Sequence, residues 1–130
     1  MRRAMLSCAC ALVVIACGGE TTLLASGTER APAAKAAVVV EREGMHRDVD
    51  VQIHDLPPPE ELGFSRYGVW LTEDGSTPTF LGFLRYQSDI RYGDLESRVP
   101  LTPVTILVTA EGDAPSDTPG SVVIMRRTLP

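Results

Sequence analysis

The chain has 130 residues, of which 44% are hydrophobic and 22% are charged, and its formal net charge at pH 7 is −5. This length is sufficient for one domain, and the acidic balance excludes an interface that binds nucleic acid through a basic groove. No cysteine follows Cys17, so an internal disulfide and a thiolate metal site are both excluded from the remainder of the chain.

The N-terminus has the pattern of a secretory signal. Arg2 and Arg3 form a positively charged start, and an apolar run follows from Met5 to Ala16. This run is shorter than the roughly 20 apolar residues that a transmembrane helix needs. We therefore predict that residues 1–16 are a signal peptide rather than a membrane-spanning anchor.

Residues 14–17, V-I-A-C, resemble the lipobox of bacterial lipoproteins. The resemblance implies that cleavage precedes Cys17 and that this residue carries acyl chains, several of which anchor a protein stably. Cleavage also removes Arg2 and Arg3, which changes the formal net charge from −5 to −7. The acyl chains rather than the charge would then attach the protein to the membrane. Ordinary signal cleavage that leaves Cys17 as a thiol is the alternative.

The residue after Cys17 bears on the destination of the lipoprotein. This residue is Gly18 and not aspartate, and in this respect the chain resembles lipoproteins that are passed on to the outer membrane. In a Gram-negative cell, the resemblance implies a lipid-anchored protein of the outer membrane that faces the periplasm.

Residues 17–35 are mostly small and polar, with three glycines, one proline and no sustained apolar period. Such a composition is typical of flexible linkers. We therefore predict a lipidated Cys17 followed by a flexible tether, and a folded domain that comprises residues 36–130.

The pattern of the domain is that of short strands separated by turn residues. Val49, Val51 and Ile53 alternate with polar residues, so one face of this strand is expected to contact a core. The predicted strands are residues 36–41, 48–54, 67–72, 80–86, 94–99, 103–109 and 121–127. Regularly spaced strands of this kind predict an all-β fold, an immunoglobulin-like antiparallel β-sandwich of about seven strands.

We expect the central hairpin of this sandwich at Tyr67–Tyr86, because two apolar runs flank a turn signal there. Large apolar residues occur on both faces of its first strand, which indicates a central strand that is covered on both sides. Trp70, Tyr67, Leu71 and Gly82 are assigned to the structural core. Gly82 is expected to mark a bulge or the close packing of a ring, with Trp70 nearby.

Five motifs, in their order and spacing, resemble the C-terminal extracytoplasmic domain of the anti-sigma-K factor family. The motifs are Leu56-Pro57, Tyr67-Gly68-Val69-Trp70-Leu71, Glu73-Asp74-Gly75, Leu81-Gly82 and Thr109-Ala110-Glu111-Gly112. The resemblance implies the sandwich fold and an extracytoplasmic sensing or protein-binding role. Residues 1–35 do not resemble the sigma-binding domain and transmembrane helix of such a family member, so we do not expect this chain itself to hold a sigma factor.

The residue types needed for catalysis are scarce. No lysine follows Lys35, no G-x-S-x-G motif occurs, and there are two histidines, so we expect no enzyme, no catalytic residue and no cofactor. Met45, His46 and His54 are weak candidate ligands for copper or zinc. Against this, the alternation of the strand predicts that His54 faces solvent.

These observations lead to two functional hypotheses. The first is a lipid-anchored, non-catalytic β-sandwich module that binds another envelope protein or senses the state of the envelope, with a possible link to regulation of the anti-sigma-factor type. The alternative is a periplasmic lipoprotein that binds a small ligand or a metal ion.

Overall fold

Nine β-strands and one short 3-10 helix make up the computed structural model, which describes residues 19–130. The strands are β1 (Glu20–Ser26), β2 (Lys35–Glu43), β3 (His46–His54), β4 (Arg66–Thr72), β5 (Thr79–Phe83), β6 (Arg85–Gln87), β7 (Tyr92–Pro100), β8 (Val104–Glu111) and β9 (Val123–Leu129), and the 3-10 helix is Pro59–Leu62. The predicted signal peptide and the predicted lipidation of Cys17 lie outside the described residues.

The strands form two antiparallel sheets that pack face to face. Sheet A has the order β1-β2-β3-β7-β6 and sheet B the order β5-β4-β8-β9. Without β1, this pairing is that of the immunoglobulin strands ABED in one sheet and C′CFG in the other. The predicted all-β, immunoglobulin-like sandwich is therefore confirmed, although it has nine strands rather than about seven.

One of the additional strands, β1, lies within the predicted tether. It pairs with β2 along its whole length, and Leu23 is only 8% exposed. The following turn is also fixed, because the amide of Thr28 donates to the Ile124 carbonyl oxygen at 2.8 Å and Ala31 and Ala34 are buried. The flexible tether at 17–35 is thus wrong for residues 20–34. Residues 20–26 are mostly small and polar, but Leu23 packs into the core and the backbone pairs with β2. These contacts, and not the composition, determine that the segment is an edge strand.

The sandwich core lies between the two sheets. Tyr67 and Leu71 of β4 point into it, as does every second residue of β3. The hydroxyl of the buried Tyr67 donates to the Pro57 carbonyl oxygen, and the Tyr86 hydroxyl donates to the Leu56 carbonyl oxygen at 2.6 Å. The segment before β4 is therefore held against the core by two tyrosines.

A β-bulge interrupts the pairing of β4 with β5. Val69 is opposite Gly82 and Trp70 is opposite Phe80, so Leu81 has no direct partner. Gly82 has φ +148°, a conformation that favours glycine, and a Cβ on it would lie 3.3 Å from the Leu95 side chain. The expected bulge is present, but the side chain that packs closely on Gly82 belongs to Leu95 and not to Trp70. Gly82 itself is half-buried and outside the core cluster, so its assignment to the core is corrected.

The chain leaves sheet B directly after this bulge. The amide of Leu84 donates to the Tyr67 carbonyl oxygen at 2.9 Å, and the next residues form β6 in sheet A. The predicted single return strand 80–86 is consequently two strands in different sheets, which accounts for the second additional strand.

Trp70 is 2% exposed, but it does not lie in the sandwich core. Tyr67, Val69 and Leu71 point inward, whereas Gly68 and Trp70 point to the outer face of sheet B. The assignment of Trp70 to the core is corrected accordingly. The prediction that β4 is covered on both faces is confirmed by the burial of its five central residues.

Candidate interaction site on the outer face of sheet B

Aromatic side chains form a cluster outside the sandwich core. The ring centroids of Trp70 and Phe80 are 4.9 Å apart, and those of Phe80 and Phe83 are 4.8 Å apart. Two residues three positions apart in a regular strand would face opposite sides, but the unpaired Leu81 shifts the register by one. The bulge therefore places both phenylalanines on the same face, and Phe80 remains 41% exposed.

A carboxylate is buried beneath this cluster. Glu111 is 8% exposed, and its Oε2 accepts hydrogen bonds from Trp70 Nε1 at 3.3 Å, from the Gly120 amide at 2.9 Å and from the Thr109 hydroxyl. Its Oε1 accepts none from residues 19–130. No arginine or lysine in the described chain lies within 4.0 Å of either oxygen.

Glycine at two positions permits this arrangement. A Cβ on Gly68 would lie 3.1 Å from Glu111 Cγ and 3.2 Å from Trp70 Nε1. A Cβ on Gly120 would lie 2.7 Å from the Ala110 carbonyl oxygen, closer than such atoms approach in proteins. Any side chain at either position would displace the groups that surround the carboxylate.

Arg66 fixes the loop that borders the cluster. Its Nε donates to the Gly112 carbonyl oxygen at 3.2 Å, and its Nη2 donates to the Asp113 carbonyl oxygen at 3.1 Å. Its guanidinium carbon also lies 3.8 Å from the centroid of the Phe83 ring, a geometry typical of a cation–π contact. Arg66 thus connects β4, β5 and the loop that follows β8.

These groups line a half-open cavity of about 330 Å³. We call this cavity and its lining the outer-face site. Its lining residues are Arg66, Trp70, Phe80, Phe83, Glu111, Gly112, Ala114, Pro115 and Ser116. The outer-face site combines aromatic walls with one buried carboxylate, a composition that suits a ligand with an apolar body and a positive end.

The outer-face site lies toward the end of the domain opposite Glu20. Across neighbouring strands of sheet A, Glu20 is in register with Asp48 and Arg98, so it lies at the end of the sheet where β7 ends. The turn after β7 leads to the start of β8, which therefore lies at the same end of the domain. Glu111 is at the other end of β8, six residues beyond Thr105, which corresponds to about 20 Å along the strand.

A larger groove of about 540 Å³ lies on the outer face of sheet A. Its lining is acidic, but Asp48 already lies 3.3 Å from His46 Nε2 and 3.9 Å from Arg98 Nε. Asp50 Oδ1 is buried without a hydrogen-bond partner among the described residues. Residues 19–130 contain no group of three His, Cys, Asp or Glu side chains placed to hold a metal ion, and we do not assign a site to this groove.

The candidate metal ligands are not brought together. His46 and His54 are the first and last residues of β3, a separation of about 26 Å along the strand. His54 is exposed, as expected, and its ring packs against that of Tyr92 in a tilted arrangement, with the centroids 4.8 Å apart. Met45 is 87% exposed in the turn before His46. The two histidines therefore cannot bind the same metal ion within one molecule.

Sequence reasoning did not find Glu111 as a site residue. The alternation of β8 predicts that Leu107 and Thr109 share its outer face, and extending it by two residues would have included Glu111. The partners of the carboxylate come from different parts of the chain. Trp70 is brought near Glu111 by the register of β4 and β8, and Gly120 by the loop before β9, where the Ala110 amide donates to the Val122 carbonyl oxygen.

No helix formed by residues 19–130 is both long and apolar enough to span a membrane. The chain matches no protein-family model. It likewise matches no curated protein and no solved structure.

Proposed function

We propose that the protein is a lipid-anchored, non-catalytic module of the cell envelope that binds a protein partner through the outer-face site. The observation that carries this proposal is the exposed Phe80 above a buried tryptophan and beside a cavity. Aromatic residues and arginine are enriched where proteins bind one another, and clusters of them supply most of the binding energy.

The position of the outer-face site supports this role. Lipidation at Cys17 would attach the chain to the membrane two residues before Gly19, close to the end of the domain that carries Glu20. The outer-face site lies toward the opposite end, so a protein anchored in this way would present it away from the membrane. In a Gram-negative cell, the proposed location is the outer membrane, with the domain in the periplasm.

The motifs shared with the anti-sigma-K extracytoplasmic domain lend support to a role in signalling across the envelope. Two of these motifs contain residues that line the outer-face site, Trp70 and Glu111. A third, Leu81-Gly82, forms the bulge that brings Phe80 and Phe83 to the same face. We propose regulation of the anti-sigma-factor type as the context of the binding function. A sigma-factor gene beside that of this protein would favour this context.

Site-specific photocrosslinking in the native envelope tests the binding function. A photoreactive phenylalanine analogue at position 80 is expected to give a discrete adduct with one envelope protein. The matched control carries the same analogue at Ile90, which is 59% exposed in the turn before β7. The binding function is contradicted if position 80 gives no adduct, or gives the same adducts as position 90.

A further inference from the structure

We propose that the outer-face site binds an alkylammonium group, presented as a lysine side chain by the protein partner. This inference rests on the proposed protein-binding function and specifies the chemistry of its ligand. It follows from three features of the site: a carboxylate with one free oxygen that opens onto the cavity, aromatic walls and the fixed position of Arg66.

Among residues 19–130, no arginine or lysine lies within 4.0 Å of the Glu111 carboxylate, although Arg66 is opposite Glu111 on β4. Oε1 of Glu111 is not among the buried side-chain atoms of residues 19–130 that lack a hydrogen-bond partner, so this oxygen is open to the cavity and to water. The Trp70, Thr109 and Gly120 donors are neutral, and all three contact the same oxygen, Oε2. Oε1 accepts no hydrogen bond within residues 19–130, although Glu111 lines the cavity. A cationic donor that enters the cavity would complete this site.

The aromatic walls match the remainder of a lysine side chain. Phe80 and Phe83 line the cavity, and rings of this kind pack against the methylene groups of lysine and attract its ammonium group. A cavity of about 330 Å³ is at the small end of the range for ligand sites. It therefore suits one side chain better than a large ligand.

The geometry favours an ammonium group over a guanidinium group. A guanidinium binds a carboxylate best through two parallel hydrogen bonds to both oxygens, but Oε2 of Glu111 is already occupied by three donors. One available oxygen suits the single strong hydrogen bond of an ammonium group. Arg66 does not take this place, because two loop carbonyls and the Phe83 ring hold it.

The test uses the purified lipoprotein in a non-ionic detergent. The chain has one tryptophan, so its fluorescence reports on the outer-face site alone. The probe is Nα-acetyl-lysine N-methylamide, and the neutral comparison is Nα-acetyl-norleucine N-methylamide at the same ionic strength. We expect the lysine probe to bind about tenfold more tightly, since a hydrogen bond to a charged group is lost in the neutral probe.

Two variants locate the effect. Glu111→Gln is expected to abolish the preference for lysine, whereas Glu73→Gln, which alters an exposed carboxylate in the turn after β4, is expected to retain it. Circular dichroism establishes whether each variant is folded. If Glu111→Gln does not fold, the comparison of the two probes on the unaltered protein decides the question, together with Phe80→Ala, which should weaken lysine binding.

The lysine inference is overturned if both probes bind equally, or if a folded Glu111→Gln protein retains the preference. This failure is distinguishable from failure of the proposed function. A discrete adduct from position 80 without a lysine preference would leave protein binding intact and reject the ligand chemistry. A lysine preference without an adduct would retain the ammonium site and reject a protein as its source.

Discussion

The indole of Trp70 and the carboxylate of Glu111 are joined by a hydrogen bond of 3.3 Å on the outer face of sheet B. The two residues lie on neighbouring strands, and the same indole nitrogen lies 3.1 Å from Thr109 Oγ1. An almost completely buried ring therefore supports a polar group and not only the packing of the domain. The rings of Trp70, Phe80 and Phe83 form a second apolar layer outside the sandwich core. Because of this layer, β4 is buried on both of its faces.

Replacement of Trp70 by alanine should destabilise the domain strongly. The ring is 2% exposed, and its removal leaves a cavity and a buried carboxylate with one donor fewer. We expect the free energy of unfolding to fall by about 3–5 kcal/mol, as measured by urea denaturation with circular dichroism. Trp70→Phe should cost less, because it retains much of the packing. A Trp70→Ala protein as stable as the unaltered one would contradict this.

Arg47 should be a stabilising residue at the end of the sandwich near Glu20. It is 8% exposed, and its guanidinium donates to the main-chain oxygens of Pro100, Thr102 and Pro130 at 3.0, 2.6 and 2.9 Å. Arg47→Met removes these donors and leaves the main-chain oxygens without them.

We expect Arg47→Met to lower the free energy of unfolding by about 2–4 kcal/mol, since hydrogen bonds to charged groups are among the stronger ones. Arg98→Met serves as the control, because the Arg98 side chain is 72% exposed and exposed ion pairs contribute about 0–1 kcal/mol. Similar losses for the two variants in urea denaturation would contradict the role of Arg47.

Stability should decrease in alkaline solution, partly because of Tyr67. Burial raises the pKa of Tyr67 above its usual value of about 10. Above this pH the unfolded chain loses the phenolic proton while the folded protein retains it, so rising pH favours unfolding. Below pH 10 both states keep the proton, and Tyr67 contributes no pH dependence.

The comparison of urea midpoints at pH 8.5 and pH 11 measures this effect. The unaltered protein should lose stability between these values, and Tyr67→Phe should lose less. Part of the dependence should persist in the variant, since burial also raises the pKa of Tyr86 and of Tyr92. An unchanged difference between the two pH values in Tyr67→Phe would show that Tyr67 does not contribute.

The strands with strict alternation were predictable from the sequence. In β3 the apolar residues recur at every second position, and in β8 the residues that face the opposite sheet, Val104, Ile106 and Val108, do the same, because burial against that sheet requires this period. The outer-face site was less accessible to such reasoning. Whether Trp70 points inward depends on the register of β4, and both faces of that strand carry apolar residues, so alternation alone could not decide between them.

The site also depends on a bulge that sequence could only suggest. Gly82 indicated an irregularity, but the position of the unpaired Leu81 follows from the pairing of β4 with β5. That position determines that Phe80 and Phe83 share a face. The proximity of Glu111 likewise requires two strands to be aligned within one residue, which no local pattern specifies.

The proposed lipidation of Cys17 predicts membrane attachment that a single substitution removes. In the host cell, Cys17→Ala should abolish labelling by a fatty-acid analogue and should move the protein from the detergent phase to the aqueous phase. The acidic net charge of the chain offers no electrostatic attachment to an anionic membrane surface. Cys8→Ala is the control, since that residue lies within the predicted signal peptide. Persistent labelling of Cys17→Ala would contradict the assignment of the anchor.

Leu23 and Leu24 should differ sharply in their contribution to stability. Leu23 is 8% exposed and lies in the sandwich core, whereas its neighbour Leu24 is 50% exposed on the outer face of sheet A. Because β1 is part of the domain, Leu23→Ala should lower the free energy of unfolding by about 2–3 kcal/mol, and Leu24→Ala should change it by less than about 0.5 kcal/mol.

Urea denaturation of the two variants in parallel measures this difference, and the pair controls for composition because each loses the same side chain. If residues 20–26 formed a flexible tether, neither leucine would be buried in the folded state, and both substitutions would leave the free energy of unfolding unchanged. The predicted asymmetry therefore distinguishes an edge strand from a linker. It would also show that any attachment at Cys17 is separated from the folded domain by only two or three residues, and such a short connection would restrict how far the outer-face site can turn toward the membrane.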